Sequence, residues 1–384
     1  MDLPKIKVIK INKIGHDGEN LNAQLVHQTH TNWFNLIYGF NETAEQCSMN
    51  LSVVSDASNV PRIKSLCSDK SYRCGLFSTP TIGELRNKTI ELLNNNRSRI
   101  TATTTCSHII IDDVLEMHHE YPKSTFQVAS QFNCLEFVSP ELTPEDGITH
   151  YETDLTQGPA CSLACASGTI YRNYFAVPPT NSFGMMGQSQ NSQFNLLDNL
   201  EKMIDNSNNN YWHVNNGYIG SKRRSLNRLN EAIWLYDVDD FIKNIKVGVH
   251  DDVGVVFSSR YKPIDEDLYV TQVYCSAVGC NYTSIPKNSW QPIAEIILQS
   301  QYEGAIWSAV LNYLRGGTNK LFLTFIGGGV FGNKNEWIGR SISRALNIAK
   351  KYNTGLDIII CHYKHINEKI KNIIDSSVEI NSSE

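Results

Sequence analysis

The chain has 384 residues, of which 41% are hydrophobic, and a formal net charge of −5, so it can bury one large core or two smaller ones. The acidic balance argues against general nucleic-acid binding, and no apolar run reaches the ~18 residues needed to span a membrane. The first residues, MDLPKIKVIKINKIG, lack the apolar core of a signal peptide, so we expect a cytoplasmic protein with neither a nucleic-acid nor a membrane partner.

Residues 1–125 are predicted to form an N-terminal extension packed on the core. Within them, we expect a short strand at 34–40 and a helix at 82–93 that opens after Thr79-Pro80-Thr81. From residue 126 onward the pattern of strand-like and helix-like segments becomes clearer, and we assign residues 126–384 to one main domain. A strand at 126–132 leads through a loop rich in Pro, Asp and Gly into a helix at about 159–174.

The stretch 188–217 is rich in Asn and Gln, which predicts an insertion lying on the surface. Strands are then expected at 245–257 and 269–275, followed by a long helix at 292–314. The last third continues with a strand at 321–326, a helix at 338–348 and a strand at 356–361. This alternation predicts an α/β fold, in which a mixed sheet is flanked by helices.

A glycine-rich turn, FLTFIGGGVFGNKNEW, joins the strand at 321–326 to the next helix. Its glycines allow a phosphate to approach backbone N–H groups at the positive end of a helix. Two familiar motifs fit less well. The dinucleotide fingerprint needs an acidic residue after the next strand, where His362 stands, and a Walker A loop needs Gly-Lys-Ser/Thr where Asn333-Lys334-Asn335 stands. A glycine turn without any ligand is the remaining alternative.

A second polar segment follows the strand at 126–132. Asn133 ends that strand, Asp146 and Asp154 lie in the loop, and Thr156-Gln157-Gly158 opens the next helix. Ligands of open α/β sheets gather at the carboxyl ends of the strands, where this segment and the glycine turn should meet.

Metal ligands are not evident in the sequence. Ten cysteines occur without any C-x-x-C pair, and Cys161 and Cys165 stand among small and apolar neighbours, as core thiols do. His27 and His30 lack an acidic or cysteine companion, so we interpret them as surface or structural residues. We expect no metal and no cofactor.

These segments resemble the macrodomain superfamily, whose members bind ADP-ribose and many of which hydrolyse its linkages. Within it, they are most similar to a divergent group of ADP-ribosylhydrolases that includes the Legionella effector MavL. The resemblance spans about residues 125–362, and a weaker resemblance is found at 33–40 and 72–86. The residues that carry it are Asn133, Asp154 to Cys161, Tyr171 to Phe175, Val273 to Ala277 and Gly327 to Asn333. The family's usual Gly-rich first loop is replaced here by the acidic segment from Glu145 to Asp154.

The resemblance implies a role for each motif. Asn133 would contact the distal ribose, while Thr156, Gln157 and Gly158 would bind on the phosphate side. The second loop would wrap the diphosphate through Gly327, Gly328, Gly329, Val330, Phe331, Gly332 and Asn333. Hydrolysis at the anomeric carbon develops positive charge on the ribose, so a carboxylate beside it can stabilise that charge or activate water. Asp146 and Asp154 are the candidates, with turn or cap carboxylates as the alternative for each.

The sequence therefore favours a hydrolase that removes ADP-ribose from an ADP-ribosylated protein, with ubiquitin as one candidate for the modified partner. A module that binds ADP-ribose without cleaving it is the alternative, because the same phosphate loops would serve both. A nucleotide-binding structural module is weakened by the incomplete Walker and dinucleotide motifs.

Overall fold

The computed structural model describes residues 32–56, 59–181 and 186–380; the first 31 residues, which include His27 and His30, lie outside this part. The helices are α1 (Trp33–Tyr38), α2 (Ala44–Asn50), α3 (Ile82–Asn95), α4 (Val114–Glu120), α5 (Gln157–Ala164), α6 (Ala166–Tyr174), α7 (Asp198–Met203), α8 (Arg223–Ile233), α9 (Val238–Asn244), α10 (Lys287–Leu314), α11 (Asn335–Lys351) and α12 (Glu368–Ile380). The strands are β1 (Leu51–Ser55), β2 (Pro61–Ser65), β3 (Ser71–Arg73), β4 (Leu76–Ser78), β5 (Thr105–Ile111), β6 (Thr125–Ala129), β7 (His213–Asn215), β8 (Tyr218–Gly220), β9 (Gly248–Gly254), β10 (Phe257–Ser259), β11 (Lys262–Pro263), β12 (Tyr269–Cys275), β13 (Lys320–Leu323) and β14 (Asp357–Tyr363).

Seven strands form one mixed sheet in the order β4-β9-β12-β6-β13-β14-β5. The five strands from β12 to β5 in this order run parallel, whereas β9 pairs antiparallel with both β12 and β4. Central strands such as β14 are nearly continuous apolar runs, which is typical of strands buried on both faces. The predicted α/β class, a mixed sheet flanked by helices, is confirmed.

Helices cover both faces of the sheet. In β6, the hydroxyl of Thr125 accepts a hydrogen bond from Asn312 of α10 at 3.1 Å. The next residue, Phe126, stacks on His118 of α4 with 3.9 Å between ring centroids. Because successive side chains of a strand point to opposite faces, α10 and α4 lie on opposite sides of the sheet. Although α10 is 28 residues long, no helix in the described ranges is long and apolar enough to cross a membrane.

The N-terminal part of the chain contributes directly to this sheet. β4 and β5 both precede residue 125, yet β4 pairs with β9 and β5 pairs with β14 along its whole length. Among the described residues before 125, β1, β2 and β3 form a separate small antiparallel sheet. Part of the described segment before residue 125 therefore supplies the two edge strands of the central sheet.

The predicted strand at 34–40 is wrong, because this segment forms α1. The side chain of Asn32 accepts a hydrogen bond from the N–H of Asn35 at 2.8 Å and caps the helix start. Gly39, with φ 80°, ends the helix. The aromatic run suits a strand, but burial of Trp33 and Ile37 on one helical face favours the helix.

The predicted surface insertion at 188–217 is also wrong, since much of it packs into the core. Leu196, Leu200 and Trp212 are almost completely buried. Its amide side chains satisfy buried backbone groups: Asn206, for example, donates to the carbonyl of Trp212 at 3.0 Å. The helix expected at 159–174 is divided into α5 and α6 at Cys165, whose ψ of 52° interrupts the helical backbone.

A buried carboxylate in α10 fastens two neighbouring helices. Glu303 is 1% exposed and accepts hydrogen bonds from Arg86 of α3 at 2.8 Å, Arg344 of α11 at 2.7 Å and Trp307 at 2.9 Å. We expect Glu303→Gln to lower the free energy of unfolding by about 2 kcal/mol or more, because two guanidinium groups lose their shared counterion. Urea unfolding monitored by circular dichroism measures this change.

Glu295→Gln is the matched control on the same helix. Its partner Arg340 is half-exposed, so the loss should stay below about 1 kcal/mol. Equal effects for both variants would show that the buried position of Glu303 adds nothing.

Candidate functional site

A crevice of about 700 Å³ lies at the carboxyl ends of the parallel strands. Its floor includes Ala129 and Cys275, which end β6 and β12, and Cys361, which lies two residues before the end of β14. Strands that run parallel end at the same edge of a sheet, which is where α/β proteins commonly bind ligands. The volume is within the range of small-molecule sites. The crevice is therefore the candidate functional site.

The start of α5 forms one wall of the crevice. The side chain of Gln157 accepts a hydrogen bond from the N–H of Ala129 at 2.9 Å and donates to the carbonyl of Gln127 at 2.8 Å. The side-chain amide of Gln157 thus pairs with the backbone of β6 in the way that a neighbouring strand would. Gly158 follows at a position where a Cβ would lie 2.2 Å from the carbonyl oxygen of Ala129. Only glycine permits this close approach of the helix to the strand end.

The glycine turn forms a second wall. Gly327, Gly329, Val330 and Phe331 line the crevice. A Cβ at Gly329 would meet nothing within 4 Å, so the backbone there is open to the crevice. The predicted strand-to-glycine-turn-to-helix arrangement is present, with β13 before the turn and α11 after it.

Three other residues of the predicted second loop pack against neighbouring residues instead of lining the crevice. The side chain of Asn333 is buried and donates to the carbonyls of Val278 at 2.8 Å and Gly327 at 3.2 Å. Gly328 packs next to Ile338, and Gly332 packs against Asn281 with φ 73°. None of the three is among the residues that line the crevice.

The structure places Asn133 and Asp146 away from the crevice. Asn133 is buried, donates to Gln193 at 2.8 Å and accepts from the N–H of Leu135 at 3.1 Å. Asp146 accepts hydrogen bonds from the N–H of Thr143 at 2.7 Å and from its hydroxyl at 3.0 Å, which caps the 3₁₀ turn Pro144–Asp146. Asp146 is thus engaged within its own turn, and Asn133 links the loop after β6 to Gln193.

Asp154, by contrast, lines the crevice just before α5. Its carboxylate accepts a hydrogen bond from the N–H of Thr156 at 2.8 Å, and its own carbonyl accepts from Arg260 at 2.9 Å. Arg260 also donates to the carbonyl of Glu152, so this guanidinium from the turn between β10 and β11 holds the loop at two points. The carboxylate of Asp154 is thereby fixed at the edge of the crevice.

Glu136 is a crevice residue that the sequence analysis missed. It follows β6 in the sequence Cys134-Leu135-Glu136-Phe137 and is 2% exposed. Burial raises the pKa of its carboxyl to about 8, against the lowering effects of the Arg172 guanidinium and of a hydrogen bond from Ser162. An acidic residue placed between apolar residues at a strand end was the available signal.

Arg172 of α6 supplies the positive charge nearest to this carboxyl. Its guanidinium is fully buried, donates to the carbonyl of Cys134 at 2.9 Å and lies 3.7 Å from the centroid of the Tyr274 ring. It reaches Glu136 through Ser162, whose hydroxyl accepts from Arg172 at 3.3 Å and donates to the carboxyl at 3.2 Å. This chain of contacts fixes Glu136 beneath the wall formed by α5.

The crevice has both an aromatic and an acidic part of its lining. Tyr218, Tyr282 and Phe331 pack against one another in the lining, with ring centroids 5.2 to 5.6 Å apart. At another border lie Asp112 and Asp113, at the start of α4. Among the described residues, no group of three or more His, Cys, Asp or Glu side chains could hold a metal ion.

No protein-family model and no curated protein matches this chain. Among solved structures, the chain is similar to poly(ADP-ribose) glycohydrolase from Deinococcus radiodurans in complex with ADP-ribose, with 12% identity, coverage of 79% of this chain and 94% of that chain, and a TM-score of 0.41. It is also similar to poly(ADP-ribose) glycohydrolase from Thermomonospora curvata, with 10% identity, coverage of 88% and 96%, and a TM-score of 0.40. At this level of similarity, the function has to be inferred from the crevice itself.

The raised pKa of Glu136 predicts how stability depends on pH. The folded state keeps the proton up to about pH 8, whereas the unfolded chain releases it near the ordinary value of 4.5, so the parent loses stability as pH rises between these values. Gln does not titrate. We expect the thermal midpoint of Glu136→Gln to rise relative to the parent from pH 5 to pH 8.5, measured by scanning calorimetry.

Glu141→Gln, at an exposed position in the same loop, is the control and should show no such divergence. Parallel pH curves for Glu136→Gln and the parent would contradict the proposed burial of a protonated carboxyl.

Proposed function

We propose that this chain is a hydrolase that removes ADP-ribose from ADP-ribosylated protein, and that the crevice binds the ADP-ribose. One observation carries the proposal: two carboxyl side chains, Glu136 and Asp154, line a crevice that has a helix start on one wall and a glycine turn on the other. The helix start and the turn suit a diphosphate, and the carboxyls suit cleavage of a glycosidic bond.

The walls of the crevice fit the parts of ADP-ribose. The open backbone at Gly329 allows phosphate oxygens to approach N–H groups of the turn. The start of α5 at Thr156 to Gly158 offers the positive end of a helix in the same crevice. Phe331 and its tyrosine neighbours provide an aromatic surface for a sugar ring. We propose that the diphosphate lies between the two walls.

We assign the stabilisation of the developing ribosyl cation, or the activation of water, to Asp154. Its carboxylate is half-buried at the edge of the crevice, where both the ligand and solvent can reach it. For Asp146, we propose an indirect contribution through the shape of the loop, because its Oδ2 accepts both hydrogen bonds that cap the turn before Gly147. Asn133 would likewise act by holding the loop after β6.

Finer aspects of the proposal rest on the sequence motifs. We propose membership of the macrodomain superfamily and of the divergent group that includes MavL, supported by the motif from Asp154 to Cys161 and the turn from Gly327 to Asn333. Ubiquitin remains our candidate for the modified protein, and the cytoplasm our proposed location. We also propose that residues 126–384 carry most of the site, to which the start of α4 adds one border.

Asp154→Asn tests the catalytic assignment. Asparagine can still accept the hydrogen bond from Thr156, so the variant removes the charge while it preserves the turn. We expect turnover to fall by a factor on the order of 10² or more, with ADP-ribose affinity retained. The measurements are release of ADP-ribose from modified protein and calorimetric titration with free ADP-ribose.

Asp146→Asn is the matched control in the same loop. Asparagine can still accept the hydrogen bonds from Thr143, so the cost in stability should stay below about 1 kcal/mol and turnover should remain close to that of the parent. If Asp154→Asn turns over normally, Asp154 is structural. If the parent binds ADP-ribose but releases none from any linkage, a non-catalytic ADP-ribose-binding module replaces the hydrolase.

Gly329→Val tests the binding mode. The open surroundings of Gly329 and its ordinary backbone angles allow a valine side chain to fit without distorting the turn. That side chain would occupy the space where we place the diphosphate, so we expect calorimetric binding of ADP-ribose to be abolished while the thermal midpoint stays unchanged. Unaltered affinity would show that the diphosphate does not use the glycine turn.

A further inference from the structure

The turn after α8 exposes a group of large apolar side chains. Trp234 and Leu235 are 87% and 83% exposed, the highest values among the large hydrophobic side chains of the described residues. Tyr236 and Val238, which follow them, are exposed as well. None of the four lines the crevice. A contiguous exposed apolar patch of this kind commonly marks a surface that binds a partner.

The packing of α8 leaves this turn outside the core. α8 packs on α10, and its residues Leu226, Leu229 and Ile233 are buried. Beyond the end of the helix, the N–H of Leu235 donates to the carbonyl of Ala232 at 2.9 Å, so the backbone of the turn is ordered. The apolar side of α8 is thus already covered, and the side chains of the turn remain outside that contact.

The exposed side of α8 carries positive charge. Its four cations, Lys222 at the N-cap and Arg223, Arg224 and Arg228 in the helix, are all exposed. Within the described ranges, none of the four forms a salt bridge. Glu231 is the one acidic residue of the helix. Because the whole chain has a net charge of −5, these cations form a local positive surface that attracts an anionic partner.

Cations beside a protruding apolar turn fit an anionic membrane surface. The cations are attracted to negative headgroups, leucine enters the apolar layer, and tryptophan and tyrosine favour the boundary between the two. α8 has 11 residues and is about 16 Å long, so its cations and the turn can contact one flat surface together. A protein partner would need a preformed pocket for Trp234 and Leu235, whereas lipid chains rearrange around protruding side chains.

We propose that α8 and the turn after it dock this chain on an anionic membrane surface, where Trp234 and Leu235 enter the boundary between headgroups and acyl chains. This inference goes beyond the proposed hydrolase function and does not depend on it. The cytoplasmic leaflet, which carries anionic lipids, suits the location proposed above.

The expectation of no membrane partner rested on the lack of an apolar run long enough to span a bilayer. Docking on a surface requires no such run, because a short apolar protrusion beside several cations is sufficient for reversible binding. Docking would also hold the crevice near the membrane, since β8 contributes Tyr218 to the crevice and α8 follows β8 after Ser221 and Lys222. Modified proteins at the membrane surface would then be within reach.

Trp234 provides a spectroscopic probe of the docked state. The chain has six tryptophans. The other five are at most 2% exposed, namely Trp33, Trp212, Trp290, Trp307 and Trp337. We expect vesicles of phosphatidylcholine with about 30 mol% phosphatidylserine and brominated acyl chains to quench the tryptophan fluorescence of the full chain. Brominated vesicles of phosphatidylcholine alone should quench it far less, and Trp234→Phe should abolish the quenching.

Sedimentation with the same vesicles, without bromine, measures the affinity of variants. We expect Arg224→Glu and Trp234→Ala each to weaken binding by a factor on the order of 10 or more, because the first removes attraction to the headgroups and the second removes an inserted side chain. Raising NaCl from about 0.1 M to about 0.5 M should weaken binding of the parent chain through screening. Arg99→Glu and Leu66→Ala are the matched controls, because both residues are exposed and lie outside α8. Both controls should bind as the parent does.

Three results would overturn the inference. The first is equal binding to vesicles with and without phosphatidylserine, and the second is parent-like binding by both α8 variants. The third is a failure of acrylamide to quench Trp234 in the free chain, which would show that another part of the chain covers it.

The inference also fails if the parent binds no vesicle. Slower release of ADP-ribose from modified protein by both α8 variants would then assign this surface to a protein partner. Vesicle binding is measured without turnover, so the outcome for the membrane surface and the outcome for the hydrolase proposal are separate.

Discussion

The attachment of α5 to the end of β6 is the contact on which the site depends. Gln157 uses both ends of its side-chain amide to pair with the backbone of β6, and Gly158 lets the helix rest against the carbonyl of Ala129. These two contacts set the height of the helix start above the sheet. They also hold the start of α5 against Glu136 and close to Asp154, so the positions of the wall and of both carboxyls depend on the same contacts.

Electrostatics reinforce this arrangement. A fully ionised Glu136 in direct contact with Arg172 would be an ordinary buried ion pair, but Ser162 stands between them in the hydrogen-bond chain. The guanidinium directs its other donors to Cys134, Thr169 and His250 and packs over Tyr274. Its charge is therefore shared among several groups, and burial retains the larger influence on the carboxyl. The result is a carboxyl that is rigidly held yet protonated near neutral pH.

The parts of the chain outside the crevice explain why these positions are stable. α10 joins the sheet to α3 and α11 through Glu303, and the N-terminal strands β4 and β5 complete opposite edges of the sheet. The start of α4, which follows β5, forms a border of the crevice. The segment before residue 125 is therefore needed for the site as well as for the core, because the sheet positions both walls.

The sequence by itself determined the α/β class, the helices α3 and α11, and the glycine turn after β13, because hydrophobic period, caps and glycine spacing are local properties. It also placed Asp154 and the start of α5 at a strand end. Tertiary structure decided the rest. Residues 34–40 became a helix because burial of one face overrode their strand preference. Asp146 bonds to Thr143 in its own turn, whereas Asn133 bonds both to nearby Leu135 and to Gln193, 60 residues further along the chain. Glu136 joined the crevice because Gly158 and Arg172, 22 and 36 residues further along the chain, surround it in space. Which side chains face a ligand depends on such distant contacts, which a pattern of neighbouring residues does not contain.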